Sequence, residues 1–319
     1  MTQEYKYLYG PVPSRRLGLS LGVDIMPAKV CTLDCLYCQI GKTTNKTLTR
    51  KEYLPVKPVL EELKERLEEG LTADYITLSG SGEPTLNERF GELIDGIKAV
   101  TSIPVAVLTN GTLLMEPPVR QACAKADVVI PSLDAGDQET FVLINRPHSE
   151  LSIDKIIDGL VLFRQEYAGQ IWLEVFFVES VNTGADQIES IKRAIEKIRP
   201  DKIQLNTAVR PTVETVVEKL SNQKLQDIAQ MIGFDAEVIA DFSNHFTCAE
   251  NPFDSRNVFD PHVMQTVLSL LKRRPCSLED VSTTASISPN LAVKYIAELL
   301  KQGRIQTEQK ANKTFYSAQ

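Results

Sequence analysis

Residues 31–38 read Cys31-Thr32-Leu33-Asp34-Cys35-Leu36-Tyr37-Cys38. Three of the chain's six cysteines fall in this stretch, while Cys123, Cys248 and Cys276 are scattered. Such clustering in a cysteine-poor chain points to ligands. In a reducing compartment a disulfide set is disfavoured. A closed structural zinc site wants four ligands. No histidine lies nearby, the three being His148, His245 and His262. Thiolates also hold iron–sulfur clusters, ordinarily through four cysteines. Three on a four-iron cluster leave one iron open to a substrate or cofactor. The competing reading is a zinc knuckle completed by a distant cysteine. A second cluster built from Cys123, Cys248 and Cys276 would require them to meet in space, whereas closed sites usually show local ligand pairs.

The chain has 319 residues, 43% of them hydrophobic and 24% charged. That is ordinary globular composition, with length for about two domains. Disordered, collagen-like and coiled-coil classes are excluded. The formal charge of −7 argues against a uniformly basic surface for nucleic acid but leaves room for a local patch. No apolar run approaches the ~18 residues of a membrane span. The opening MTQEYKYLYGPVPSRR lacks the apolar stretch of a signal peptide. A cytoplasmic protein without membrane partners is expected.

Outward from the cysteines, the chain alternates strand and helix patterns. Strands are predicted at 20–26, 75–79, 104–108, 127–133, 170–178 and 202–206. Helices are predicted at 57–71, 87–100, 116–126, 138–145, 153–167 and 184–198. The polar, basic stretch 41–51 reads as a loop. Leu60, Leu63, Leu67 and Leu71 recur at helical spacing. Six such units imply parallel strands covered by helices, and are too few for an eight-fold barrel. Residues 212–241 read as helical segments with a short strand near 236–239. Residues 242–261 have linker composition, dividing the chain into 1–241, the linker and 262–319.

The tail changes character. Helix 262–273 precedes Ser277-Leu278-Glu279-Asp280, which has the form of a capping box. Helix 289–302 follows, with Gly303 as a C-cap candidate, then a hairpin over 304–316. Lys272, Arg273, Arg274, Lys294, Lys301, Arg304, Lys310 and Lys313 outnumber Glu279, Asp280, Glu298 and Glu308. This order resembles a winged helix-turn-helix.

The stretch 31–38 resembles the CxxxCxΦC loop of the radical S-adenosylmethionine (radical SAM) superfamily, with Tyr37 at the aromatic position. The resemblance covers about residues 8–210. From YGPVPSRRLG to QLNTAVRP, the chain is similar to a group of iron–sulfur oxidoreductases described as akin to wyosine-type tRNA-modifying enzymes. It implies an α/β fold, a partial (βα)6 TIM-type barrel, carrying the winged helix at its C-terminal end. It implies a [4Fe-4S] cluster on Cys31, Cys35 and Cys38, with S-adenosyl-L-methionine on the open iron. An electron from a flavodoxin or ferredoxin would cleave that cofactor to methionine and a 5′-deoxyadenosyl radical, which abstracts hydrogen from a substrate.

Site candidates follow from strand ends, where barrel chemistry sits. Ser79-Gly80-Ser81-Gly82-Glu83-Pro84 matches the superfamily's GGEP position, with Ser81 replacing its first glycine, and implies cofactor contacts at Ser81, Gly82, Glu83 and Pro84. Without the resemblance this segment is a turn. Asn110 could equally belong to an Asn-Gly turn, and Ser132 or Asp134 could cap the next helix. By resemblance Asn110, Ser132, Asp134 and Asn182 are cofactor contacts. Glu174 sits in an apolar run and is expected to face the lumen, because an unpaired buried carboxylate is costly. Arg15, Arg16, Arg146 and Arg210 are candidates for holding carboxylate or phosphate, or surface ion pairs. Glu174, Arg210 and His148 are the catalytic candidates.

Three functions remain open at this point. One is a radical enzyme acting on tRNA or another nucleic acid, using the basic stretch Lys42–Lys51 and the tail. Against a true wyosine-forming reaction, no additional cysteine set precedes Cys31. The second acts on a small metabolite or peptide, the winged helix docking a protein. The third is an iron–sulfur DNA-binding regulator, although helix 289–302 offers chiefly Asn290 and Lys294 for reading bases.

Overall fold

The computed structural model describes residues 5–208, 212, 214, 217, 220–240, 260–285, 287–310 and 313–318. The expected linker, Arg210, His245 and Cys248 lie outside the described residues, apart from positions 260 and 261 at the linker's end.

The chain opens with β1 (Leu8–Ser14), β2 (Gly18–Val23), β3 (Val30–Cys31) and β4 (Asn45–Lys46). Then come α1 (Val56–Glu68), β5 (Tyr75–Leu78), a 3-10 turn (Pro84–Leu86) and α2 (Phe90–Val100). The alternation continues with β6 (Val105–Thr109), α3 (Pro117–Cys123), β7 (Val128–Pro131), α4 (Gln138–Asn145) and α5 (Ile153–Glu166). It closes with β8 (Gln170–Phe177), α6 (Ala185–Ile198), β9 (Lys202–Thr207), α7 (Asn222–Ile232) and β10 (Glu237–Val238).

One sheet runs β1-β2-β5-β6-β7-β8-β9-β10. All its pairings are parallel except β1 with β2. The α/β reading therefore holds, as the parallel sheet of a partial barrel with an added edge strand. Sequence reasoning missed β1, because LYGPVPS carries two prolines and reads as a turn. Proline is tolerated at a sheet edge, and β1 pairs only with β2, with a register shift between Tyr9 and Val12.

Alternation sorts the strand side chains onto two faces. Leu21, Val23, Ile76, Leu78, Val105, Val107, Leu173 and Val175 join helix residues such as Leu63 and Ile94 in the main core. The opposite face carries a smaller cluster of Leu17, Ala106, Val128, Ile130 and Trp172, which plugs the lumen. Glu174 and Phe176 share the Trp172 face of β8.

The tail forms α8 (Pro261–Arg273), β11 (Cys276–Ser277), α9 (Leu278–Thr284), α10 (Pro289–Lys301), β12 (Ile305–Lys310) and β13 (Lys313–Ala318). Its strands pair in the order β11-β13-β12, antiparallel. The capping box is present, Ser277 Oγ accepting from the Asp280 N–H while Asp280 accepts from the Ser277 N–H. Gly303, at φ +65°, ends α10 in a Schellman arrangement, with Gly303 N–H on Leu300 O and Arg304 N–H on Leu299 O. Val267, Leu271, Cys276, Val281, Ile296 and Leu299 build a separate core, and Val12 of β1 belongs to it. The tail thus covers the edge strand, which protects an otherwise open ladder.

Gly22 lies where a Cβ would sit 2.0 Å from the Tyr9 ring. Gly22→Ala should therefore destabilise the chain by about 1–3 kcal/mol, the usual range for overpacking, read as a lower denaturation midpoint in urea.

Candidate active site

The cysteine loop leaves β2 and has almost no regular structure of its own. Its backbone is satisfied by neighbouring strand and helix ends. Lys29 N–H donates to Ser81 O (2.7 Å), and Glu83 N–H to Val30 O (3.1 Å). Asp34 and Leu36 N–H donate to Asn145 O and Ile144 O, both at 3.0 Å. His148 N–H donates to Thr32 O (2.9 Å), and Thr47 N–H to Cys31 O (3.0 Å). The segment Ile144–His148 at the end of α4 is therefore a clamp. Its turn uses Arg146 at φ +43°.

Each cysteine sulfur has a polar neighbour. Asn110 Nδ2 lies 3.5 Å from Cys31 Sγ, Asn145 Nδ2 3.3 Å from Cys35 Sγ, and Lys29 Nζ 3.1 Å from Cys38 Sγ. Burial pushes the Cys31 thiol up to about 12, with the nearby Glu83 charge adding to it. Burial, then Asp134, pushes Cys35 well above its ordinary range. Buried thiols that resist ionisation become thiolates when metal compensates the charge.

The donor set fits a cluster better than a single ion. Among the described residues no three His, Cys, Asp or Glu side chains converge to hold one ion. A polynuclear cluster offers each thiolate its own iron, so its sulfurs need not converge on a point. Cys123 and Cys276 are buried in the two separate cores and do not complete the trio. Cys31, Cys35 and Cys38 are the residues that would hold the group.

The GSGEP segment is welded to this loop. Ser81 N–H and Oγ–H donate to Asp24 Oδ2 at 3.1 and 2.6 Å. A Cβ on Gly80 (φ +151°) would meet Asp24 Cγ at 2.3 Å, and one on Gly82 would meet Val30 O at 2.2 Å. These glycines admit the protein's own neighbours, not only a ligand. Glu83 accepts from Thr85 N–H and Oγ1–H, Thr109 Oγ1–H and Asn110 N–H. Burial raises its carboxyl even against those bonds. Pro84 opens the 3-10 turn.

Three of the expected site residues also have partners within the fold. Asp134, expected at a ribose, has both oxygens engaged. Oδ1 accepts from Phe176 N–H (2.8 Å), while Oδ2 accepts from Tyr37 Oη–H and from Asn145 Nδ2–H (2.7 Å). Burial brings its carboxyl up to about 6. Asn182, expected on the cofactor, is fully buried. Its Nδ2 donates to Asp134 O and Phe176 O, and its Oδ1 accepts from Val178 N–H. Both residues lock the turn after β8. Glu174, expected to face the lumen, is paired with Arg16 at 2.5 Å and accepts from Asn206 Nδ2 at 2.7 Å.

His148 contributes its backbone to the clamp, while its ring Nδ1 accepts weakly from Glu150 N–H at 3.4 Å. Arg146 pairs with Glu214 at 2.6 Å. Asn110, Ser132 and Asp134 line a small pocket with Leu33 and Asn145 at the C-terminal ends of the strands. Tyr37 stacks on Phe176 at 3.8 Å. Residues missed by sequence reasoning are Asp24, Lys29, Asn145 and Phe176. The partners of Asp24, Asn145 and Phe176 are remote in the chain, so spacing carries no signal for them, whereas Lys29 reaches Cys38 within the same loop. Arg15 and Arg16, singled out as anion holders, instead turn into the fold. Arg15 Nη1 donates to Asn206 Oδ1 and Ile239 O, joining the start of the sheet to its far edge.

Comparison with known proteins agrees with this geometry. Residues 25–173 match the family model described as the Radical SAM superfamily. The chain is 34% identical over 303 residues to the GTPase Obg of Brachyspira hyodysenteriae, covering 95% of this chain but 44% of that protein. It is 32% identical over 315 residues to a UPF0026 protein of Helicobacter pylori, covering 98% of this chain and 97% of that one. A radical SAM methyltransferase from Sphaerobacter thermophilus shares the fold with a TM-score of 0.53 and 17% identity, over 69% of this chain and 65% of that chain. TYW1 with a lysine-pyruvate adduct bound gives a TM-score of 0.50 at 17% identity, over 72% and 76%. Among the described residues no helix is long and apolar enough to cross a membrane.

Burial alone would raise the Glu174 carboxyl, but Arg16 and the Asn206 hydrogen bond outweigh it and hold it below 4.5. A depressed carboxyl stabilises the fold above its unfolded value and loses that contribution as pH falls through the folded one. Glu174→Gln should cost about 3 kcal/mol at pH 7, since Arg16 is left buried without its partner. The gap to wild type should close as pH drops below 4.5. Urea denaturation across that range checks both.

Proposed function

The chain belongs to the UPF0026 family and carries a radical SAM domain, and we propose that it is a radical enzyme whose substrate is a nucleoside within RNA. The observation that supports the chemistry is the cysteine trio beside the C-terminal ends of the parallel strands, each sulfur with a polar neighbour, while Cys123 and Cys276 are buried in hydrophobic cores. When bound there, a [4Fe-4S] cluster with S-adenosyl-L-methionine supplies one-electron cleavage to methionine and a hydrogen-abstracting 5′-deoxyadenosyl radical. Cys31, Cys35 and Cys38 bind that group. Asn110, Asn145 and Lys29 sit by their sulfurs, and hydrogen bonds to sulfur tune a cluster's potential. Tyr37 on Phe176 shields the lumen side from water. Tyr37, Asn110, Ser132 and the Ser81–Pro84 segment are the cofactor-facing residues. A reduced flavodoxin or ferredoxin is the electron donor.

For the substrate, Lys42, Lys46 and Lys51 are exposed along the segment that pairs with the first cysteine's strand. Phosphates held there would lie beside the mouth. We read the tail as a winged helix that extends this basic surface. A second reading, a metabolite or peptide enzyme whose tail docks a protein, is favoured by Val293 and Leu300. They are exposed on α10 at 48% and 38% and serve no phosphate.

After anaerobic reconstitution, wild type should yield 5′-deoxyadenosine. Cys31→Ala, Cys35→Ala or Cys38→Ala should each abolish cluster iron and cleavage, while Cys123→Ala keeps both. An intact cluster without cleavage ends the enzyme reading. Binding to tRNA should fall steeply with salt, and Lys42→Ala should lower that slope by about one. Tighter binding to duplex DNA would favour a regulator, and binding to neither would favour the second reading.

A further inference from the structure

We propose that Arg273, from the last turn of α8, is a positioning residue for the Ser79–Pro84 segment, acting through Asp24 and Ser81. The role rests on reading that segment as part of the S-adenosyl-L-methionine site. It makes the C-terminal module a working part of that site.

Asp24 follows the end of β2 and is buried. Its Oδ1 accepts from Met26 N–H at 3.2 Å. Its Oδ2 takes the Ser81 N–H, the Ser81 hydroxyl and the Arg273 guanidinium. Arg273 Nη1 also lies 3.4 Å from Ser81 Oγ. The same guanidinium stands 4.9 Å over the Tyr9 ring, whose hydroxyl is hydrogen-bonded to Ser79 Oγ at 2.7 Å. Arg273 therefore reaches both sides of Gly80, through Tyr9 to Ser79 and through Asp24 to Ser81. Gly80 itself is pressed onto Asp24, with no room for a Cβ.

The cation comes from a different hydrophobic core than the segment it steadies. Leu270 and Leu271, three and two residues before it, are buried in the C-terminal core. Asp24 and the segment belong to the barrel. A buried carboxylate without its cation is costly to keep in place and is driven to turn toward water, which takes from Ser81 the acceptor it now has. Ser81 is the position where the segment departs from the two glycines of the GGEP pattern. Its hydroxyl is what connects it to Asp24. Such coupling is reciprocal: displacing the module weakens cofactor binding, and cofactor binding holds the module down.

The test uses the full chain. S-adenosyl-L-methionine binding to cluster-loaded protein is measured by equilibrium dialysis for wild type, Arg273→Ala, Arg273→Lys, Asp24→Asn and the Arg273→Ala/Asp24→Asn double variant. Hydrogen exchange of the Ser81 amide is measured on the protein without cluster. Arg273→Ala should weaken binding about fivefold or more, at the lower end of ordinary coupling, with iron content unchanged and Ser81 exchange faster. Arg273→Lys should recover part of the loss. The double variant should be no worse than the weaker single one, as for residues acting in series. Unchanged affinity, strictly additive losses, or unaltered Ser81 exchange would each overturn the role. If Arg273→Ala does not fold, Arg273→Gln decides by the same readouts. A wild-type protein with full cluster that binds no S-adenosyl-L-methionine would overturn the functional reading and this role together. Normal wild-type binding with an indifferent Arg273→Ala would overturn this role alone.

Discussion

A loop that must present three sulfurs at a barrel mouth cannot be a helix or a strand throughout, so its peptide groups have to be satisfied from outside. That constraint organises the upper half of the molecule. Lys29 and Val30 are bonded to the segment after β5, Thr32, Asp34 and Leu36 to the end of α4, and Cys31 to the strand-like turn at 45–47. A buried peptide group left unpaired is about as costly as a lost hydrogen bond. Each of these neighbours is therefore held in one register with the loop. The clamp Ile144–His148 explains why α4 ends abruptly at Arg146 in the left-handed region: the chain must turn there to bring Asn145 and His148 against the cysteines.

Buried carboxylates form the second layer of this arrangement. Asp24, Glu83, Asp134 and Glu174 all occupy lumen or strand-end positions, and all have several donors or a cation. Burial makes an unpaired carboxylate too costly to keep, so each becomes a junction between elements distant in sequence. Asp134 joins the aromatic of the cysteine loop, the clamp asparagine and β8. Glu83 joins its own turn to the end of β6. Glu174 and Arg16 tie the β1–β2 turn to β8, beside the Arg15 bonds to β9 and the segment after β10. Residues that resemblance places against a cofactor thus also build the frame that a cofactor would enter.

The C-terminal module belongs to the same frame. Val12 of the edge strand packs in the module's core rather than the barrel's, and Lys310 Nζ donates to Val217 O beyond β9 at 3.0 Å. The module thus touches both the β1 edge and the segment after β9. An open parallel sheet needs such cover, because its edges present unpaired ladder groups.

The cysteine spacing, the strand–helix alternation and the capping-box tail were legible in the sequence, because each depends on residues within one or two turns of each other. Helices α4 and α5 start where the periodicity places them, and Gly303 ends α10 as its type predicts. The β1 strand was hidden because prolines mark turns far more often than edges. The roles of Asp134, Asn182 and Glu174 were hidden for a different reason. A carboxylate or amide at a strand end looks the same in sequence whether it faces a ligand or a backbone N–H from forty residues away. Only packing supplied their protein partners, since burial fixes the direction of the side chain and then demands a partner from whatever the fold has brought within reach.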